Sequence, residues 1–138
     1  MPASVLLVED EHLIALSLKS MIEALGCGHV EIAGSVKQAL ARLERWRPDC
    51  ALLDLNLGHE YSHAVGDALK AMGVPYGFCT AHADNVGLFF PHDADAPRIG
   101  KPTAMAELAH ALGILANRAR SNNSRTRDHK LGRPGSGL

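Results

Sequence analysis

Short apolar runs alternate along the chain with stretches in which apolar residues return every three or four positions. Ser4-Val5-Leu6-Leu7-Val8 carries no polar alternation, the pattern of a strand buried on both faces. Ile14, Leu18, Met21, Ile22 and Leu25 then recur at helical spacing, and Gly26 is a natural stop. His29 to Ala33 reads as a second strand. Ser35, followed three residues later by Gln38, has the form of a capping box. It opens a helix lined by Val36, Leu40 and Leu43 and ended by Pro48. Cys50-Ala51-Leu52-Leu53 predicts a third strand, with a loop from Asp54 to Tyr61 behind it. Val65, Leu69 and Met72 mark a third helix, stopped by Gly73. Tyr76-Gly77-Phe78-Cys79 is a weaker fourth strand and Arg98-Ile99-Gly100 a brief fifth. Between them residues 82–96 give a mixed signal: Asn85 to Phe90 reads as a short helix, Pro91 and the Asp-Ala repeats as loop. Thr103 is placed to cap a last helix with Met105, Leu108, Leu112 and Leu115 on its buried stripe.

Strand followed by helix, five times over, predicts an α/β domain built on a doubly wound parallel sheet of five strands. Right-handed crossovers put helices on both of its faces.

Composition narrows this picture. With 138 residues, 46% hydrophobic and 21% charged, the chain suits one soluble domain with a substantial core. No apolar run approaches the ~20 residues that span a bilayer. Met1-Pro2-Ala3-Ser4 lacks the basic-then-apolar pattern of a secretion signal, so a cytoplasmic location without membrane partners is expected. Cys27, Cys50 and Cys79 cannot all pair, and none forms a CxxC, so reduced and buried thiols are expected. The net charge of −1 hides an asymmetry: residues 1–117 balance at −6 and residues 118–138 at +5. The domain is expected over 1–117. The basic tail, 118–138, buries too little to offset its ordering entropy and is expected to be disordered. A solvated linker is the favoured reading of that tail over a contact with nucleic acid or an acidic partner.

The chemistry lies in where polar residues interrupt the pattern. Glu9 and Asp10 follow the first strand, Asp54 the third, Thr80 the fourth and Lys101 the fifth. In a parallel sheet those ends share one edge, the edge at which open α/β folds bind ligands. Clustered carboxylates repel, by about 4 kcal/mol for two charges 4 Å apart at an effective dielectric of 20. A hard divalent cation with oxygen ligands, magnesium above all, removes that cost. A carboxylate can also accept a phosphoryl group as an acyl phosphate. Cation, ammonium and hydroxyl would then stabilise charge on the equatorial oxygens.

Val5-Leu6-Leu7-Val8-Glu9-Asp10-Glu11, Leu52-Leu53-Asp54-Leu55-Asn56-Leu57, Cys79-Thr80-Ala81 and Gly100-Lys101-Pro102 resemble, in order, the four signature segments of response-regulator receiver domains. The resemblance covers about residues 3–117. It implies a flavodoxin-like strand order of 2-1-3-4-5 and a two-component signalling role. It implies Asp54 as phosphoacceptor and magnesium as cofactor, held by Asp10 and Asp54 directly, by Glu9 through water and by the carbonyl of Asn56. Lys101 and Thr80 would each hold a phosphoryl oxygen, and Pro102 would follow a cis peptide. The donor would be a sensor histidine kinase or a histidine phosphotransfer protein. The chain would act as a single-domain relay, sink or partner-docking switch without a DNA-binding output, catalysing only its own phosphotransfer and dephosphorylation. Receivers usually carry an aromatic switch residue three positions before the lysine; here that residue is Arg98. Pro75-Tyr76-Gly77-Phe78-Cys79-Thr80 resembles the PFxFAT segment of a stand-alone subgroup that also lacks the aromatic. That implies a kinase of the HWE or a related type, with the signal leaving through residues 82–96.

Blander readings stand beside these. Acids at a strand end also suit a helix N-terminus. His59 and His63 have the spacing of helical metal ligands, but nothing completes a set, so surface histidines are expected. Phe89-Phe90 suits core packing or, if exposed, a partner patch. An alternative enzyme reading is a phosphatase of the haloacid dehalogenase kind with Asp54 as nucleophile. It needs a second acid two residues on, where this chain has Asn56. A receiver signalling through fixed contacts without phosphate is the third reading, and the complete acid set speaks against it.

Overall fold

In the computed structural model, which describes residues 1–81, 93 and 95–131 and only the backbone at Thr80 and 124–131, the apolar run of β1 (Ser4–Val8) divides between two cores. Val5 and Leu7 enter one, Leu6 and Val8 the other. Successive side chains of a strand point to opposite faces, so an uninterrupted apolar run requires cover on both. The remaining elements supply it: α1 (His12–Ala24), β2 (His29–Ala33), α2 (Val36–Leu43), β3 (Cys50–Leu53), α3 (His63–Met72), β4 (Tyr76–Thr80), β5 (Arg98–Gly100) and α4 (Met105–Leu131). All neighbouring strands are parallel, in the order β2-β1-β3-β4-β5. The first core gathers Leu18 and Ile22 of α1 with Leu108, Leu112 and Leu115 of α4. The second gathers Ala39 and Leu43 of α2 with Val65 and Leu69 of α3. This is the doubly wound, flavodoxin-like arrangement expected.

Local chemistry sets the helix ends. Ser35 Oγ accepts from the Gln38 amide at 3.1 Å, while Gln38 Oε1 accepts from Gly34 N at 2.8 Å. The box therefore closes one residue ahead of its usual partner. The helix ends at Leu43, well before Pro48. Gly73, at φ 72°, ends α3 in a left-handed turn that a side chain would strain. Gly73 N donates to Lys70 O and Val74 N to Leu69 O, at 3.0 and 2.9 Å, the paired closure of a Schellman motif. Trp46, between α2 and β3, lies edge-on to His29 at a centroid distance of 5.3 Å.

Three expectations change. Thr103 does not open the last helix, because Leu108 N bonds to Ala104 O at 3.0 Å and the helix is entered there. Met105 is exposed rather than part of the buried stripe. Most of all, α4 continues to Leu131, through much of the segment expected to be disordered. Ala119 is buried, Arg118 donates to Asp95 O at 2.8 Å and Asn122 to Gly73 O at 2.8 Å. These contacts carry the ordered body past 117. Residues 132–138 lie outside the described residues. So do the helix expected at Asn85 to Phe90 and the pair Phe89-Phe90.

Candidate functional site

Val8 of β1 stands opposite Leu53 of β3, so Glu9 and Asp54 leave adjacent strands side by side. Both remain tied to the ladder: the Glu9 amide bonds to Ala33 O at 3.0 Å and the Asp54 amide to Val8 O at 2.8 Å. On the far side Thr80 pairs with Gly100, so Lys101 emerges at the same edge. Its ammonium donates to Asp54 Oδ2 at 2.7 Å and to Glu9 Oε1. The Lys101-Pro102 peptide is cis.

Glu9 is almost fully buried, with Oε1 taken by Lys101 and Oε2 accepting from Glu11 N at 3.2 Å. Burial pushes its carboxyl up to about 7, against the opposing pull of these two donors. For Lys101, burial alone would depress the pKa; the hydrogen bonds to Asp54 and Glu9, and their charges, outweigh it and hold the ammonium above its ordinary value. Asp10 is exposed. Carboxylate oxygens of Glu9, Asp10 and Asp54 lie within 4.8 Å of one another. Two of these acids, Glu9 and Asp54, share the Lys101 ammonium.

Asp10 and Asp54 edge an open cleft of about 420 Å³ that Asn56, Gly58, Ala81 and Lys101 also line. Asn56 turns the chain past the acceptor: its amide donates to Asp54 Oδ1 at 3.3 Å and its side-chain oxygen accepts from Gly58 N at 3.0 Å. The excess of carboxylate over ammonium, with one acid open to solvent, fits a hard divalent cation such as magnesium. Thr80, expected just after the fourth strand, is the last residue of β4, and its side chain lies outside the described part of the structure.

Gly58 was not foreseen. Its φ is +83°, and a Cβ there would stand 3.3 Å from Asp10 Oδ2. A glycine two residues after Asn56 in an acidic loop was the available signal. The histidine pair makes no ligand set: His63 stacks on Tyr61 at 5.8 Å. Among the described residues, Glu9, Asp10 and Asp54 form the one cluster able to hold a metal. The three cysteines are free and buried, as expected. No helix among the described residues is long and apolar enough to cross a membrane.

Comparison with known proteins agrees with this geometry. Residues 5–113 match the family model for the response regulator receiver domain. The phyllosphere-induced regulator PhyR of Methylorubrum extorquens is 36% identical over 87 residues, which is 61% of this chain and 33% of that protein. The match thus spans a third of that relative's length. The solution structure of SdrG from Sphingomonas melonis is 38% identical, covering 83% of this chain and 96% of that one at a TM-score of 0.71. The receiver domain of PhyR from Erythrobacter litoralis is 26% identical, covering 83% of this chain and 89% of that one at a TM-score of 0.68.

Proposed function

This chain belongs to the response regulator receiver family of two-component signalling, and on that premise we propose that Asp54 accepts a phosphoryl group from a phosphohistidine. The observation that carries the proposal is the Lys101 ammonium lodged between Asp54 and Glu9 beside an open cleft that Lys101 and Asp54 line. An Asp54 carboxylate oxygen attacks phosphorus, the phosphorus–nitrogen bond of the donor breaks, and its electron pair leaves on the imidazole nitrogen. The product is an acyl phosphate on Asp54. Lys101 exchanges its contact with Asp54 for one with a phosphoryl oxygen, and the Thr80 hydroxyl takes another. Asp10, Asp54 and the Asn56 carbonyl would hold magnesium directly, and Glu9 would do so through water. When bound, magnesium supplies positive charge to the equatorial phosphoryl oxygens. Glu9 meanwhile holds Lys101 at the edge of the cleft.

Receivers take phosphoryl groups from histidine kinases or phosphotransfer proteins, and either is the donor class here. A kinase of the HWE or a related type is the first to test, because the segment Pro75 to Thr80 resembles the receivers that work with such kinases. The chain acts in the cytoplasm as a relay, sink or docking switch and turns over no external substrate. Asn56, in place of a second acid, disfavours the phosphatase reading. The decisive experiment is incubation with a labelled, autophosphorylated kinase and magnesium. Label is expected on the wild-type chain and lost with Asp54→Ala. Equal labelling of Asp54→Ala overturns the assignment.

A further inference from the structure

Lys101 supplies the positive charge of the cleft from the least supported strand of the sheet. β5 has three residues, stands last in the strand order and pairs with β4 alone. Gly77 and Pro97 bring the two strands close: Phe78 N donates to Pro97 O at 2.8 Å, and a Cβ on Gly77 would stand 2.9 Å from that oxygen. This fixes the chain ahead of Lys101. Behind Lys101, Thr103 Oγ1 lies 3.1 Å from Cys79 Sγ. Cys79 is 1% exposed, stands opposite Ile99 in the ladder and packs in the core that holds Leu108 and Leu112. It is an anchor that moves only with the core. Burial pushes its thiol pKa up, outweighing the contrary pull of Thr103 and Lys101, so the sulfur keeps its proton.

We infer that Cys79 and Thr103 form a positioning pair that fixes where the Lys101 ammonium stands relative to Asp54. The ladder restrains the chain before Lys101, and the thiol–hydroxyl contact restrains it two residues after. A thiol is a weak hydrogen-bonding partner, so the pair adds little to global stability. Small displacements of a positioning group still cost rate steeply. The catalytic consequence rests on phosphoryl acceptance at Asp54; the restraint on Lys101 does not.

The test uses the full chain with magnesium and phosphoramidate as a small phosphodonor. Cys79→Ala and Thr103→Val are each expected to slow phosphorylation about threefold to tenfold, the scale of a shift well short of 1 Å. Cys79→Ser, which keeps a donor on the same stem, is expected to stay close to wild type. The double variant Cys79→Ala with Thr103→Val is expected to be no slower than the slower single one, as for two partners of one contact. Cys27→Ala, which removes another buried thiol of the same core, should lower Tm and leave the rate alone. A second readout needs no phosphodonor: acylation of Lys101 by a small amine-reactive reagent, followed by mass spectrometry, should quicken in Cys79→Ala and Thr103→Val. The inference is overturned by a wild-type rate in Cys79→Ala, by equal slowing in Cys79→Ser, by multiplying losses in the double variant, or by unchanged Lys101 acylation. A wild-type chain that takes no phosphoryl group while Lys101 acylation still responds to Cys79→Ala would sink the Asp54 reading and support the pair.

Discussion

At the amino edge of the sheet Asp49 accepts from the amides of Ala3 and Ser4, at 2.9 and 3.3 Å, and its own amide donates to Ser4. At the carboxyl edge Asp54 has Lys101 on one oxygen and the Asn56 amide on the other, with two further acids close by. The same side-chain type thus does two jobs. At the amino edge, charged and amide groups terminate backbone: Arg47 donates to the carbonyls of Met72 and Gly73, Arg118 to Asp95 O and Asn122 to Gly73 O. Such contacts satisfy groups left over by helix and strand ends. At the carboxyl edge the charges face one another and outnumber their protein partners. What separates a structural acid from a reactive one is therefore its partners: main-chain amides in one place, other ionisable side chains in the other.

Substitutions at the two edges should diverge accordingly. Lys101→Met should slow phosphoryl uptake about 10²- to 10³-fold, the cost of removing a donor aimed at developing charge. Measured phosphorylation within a few-fold of wild type would break the contrast. Asp49→Ala should leave uptake unchanged and cost about 1–3 kcal/mol in urea unfolding, since it removes a charged acceptor from two amides. A loss of uptake at native stability would show the edges to be coupled.

Acidity sharpens the comparison further. Folded Glu9 holds its proton up to about 7, whereas the unfolded chain releases it near 4.5. Between those values the folded state binds more protons, so the stability of the magnesium-free chain should fall as pH rises through that window. Lys101 acts outside it: with its pKa raised, its stabilising contribution is complete below the unfolded pKa and is lost only in strongly alkaline solution. Glu9→Gln should flatten the slope of urea midpoint against pH between about 5 and 8, and a slope that persists in that variant would assign it elsewhere. The smallest effect is expected from Asn122→Ala, about 1 kcal/mol or less. It should appear as faster amide hydrogen exchange in the last turns of α4, with phosphoryl uptake untouched.

The sequence displayed the carboxyl edge better than the amino edge, for a physical reason. β1 and β3 are apolar on both faces, so the acids that follow them stand out, and Asp54 and Lys101 meet where the pattern put them. Ser35 announced its helix because side-chain capping is written in residue types. The continuation of α4 is not written that way. Arg118 and Asn122 bond to the carbonyls of Asp95 and Gly73, acceptors that every residue possesses, and a basic, Ser- and Asn-rich stretch looks the same whether it finds them or not. Thr103 misled for a related reason: its hydroxyl faces Cys79, a tertiary partner invisible to local capping rules. Gly58 was overlooked because its closeness to Asp10 is a property of the folded loop.

The placement of Trp46 has an optical consequence. It is the chain's one tryptophan, and it sits at the amino edge against the ring of His29, the first residue of β2. Its emission is thus a private gauge of that edge, altered by unfolding, with the cleft out of its view. Magnesium titrated into the folded chain should pass unseen in this signal. Any glow or quench that tracked the metal would be the signature of strain travelling the length of the sheet.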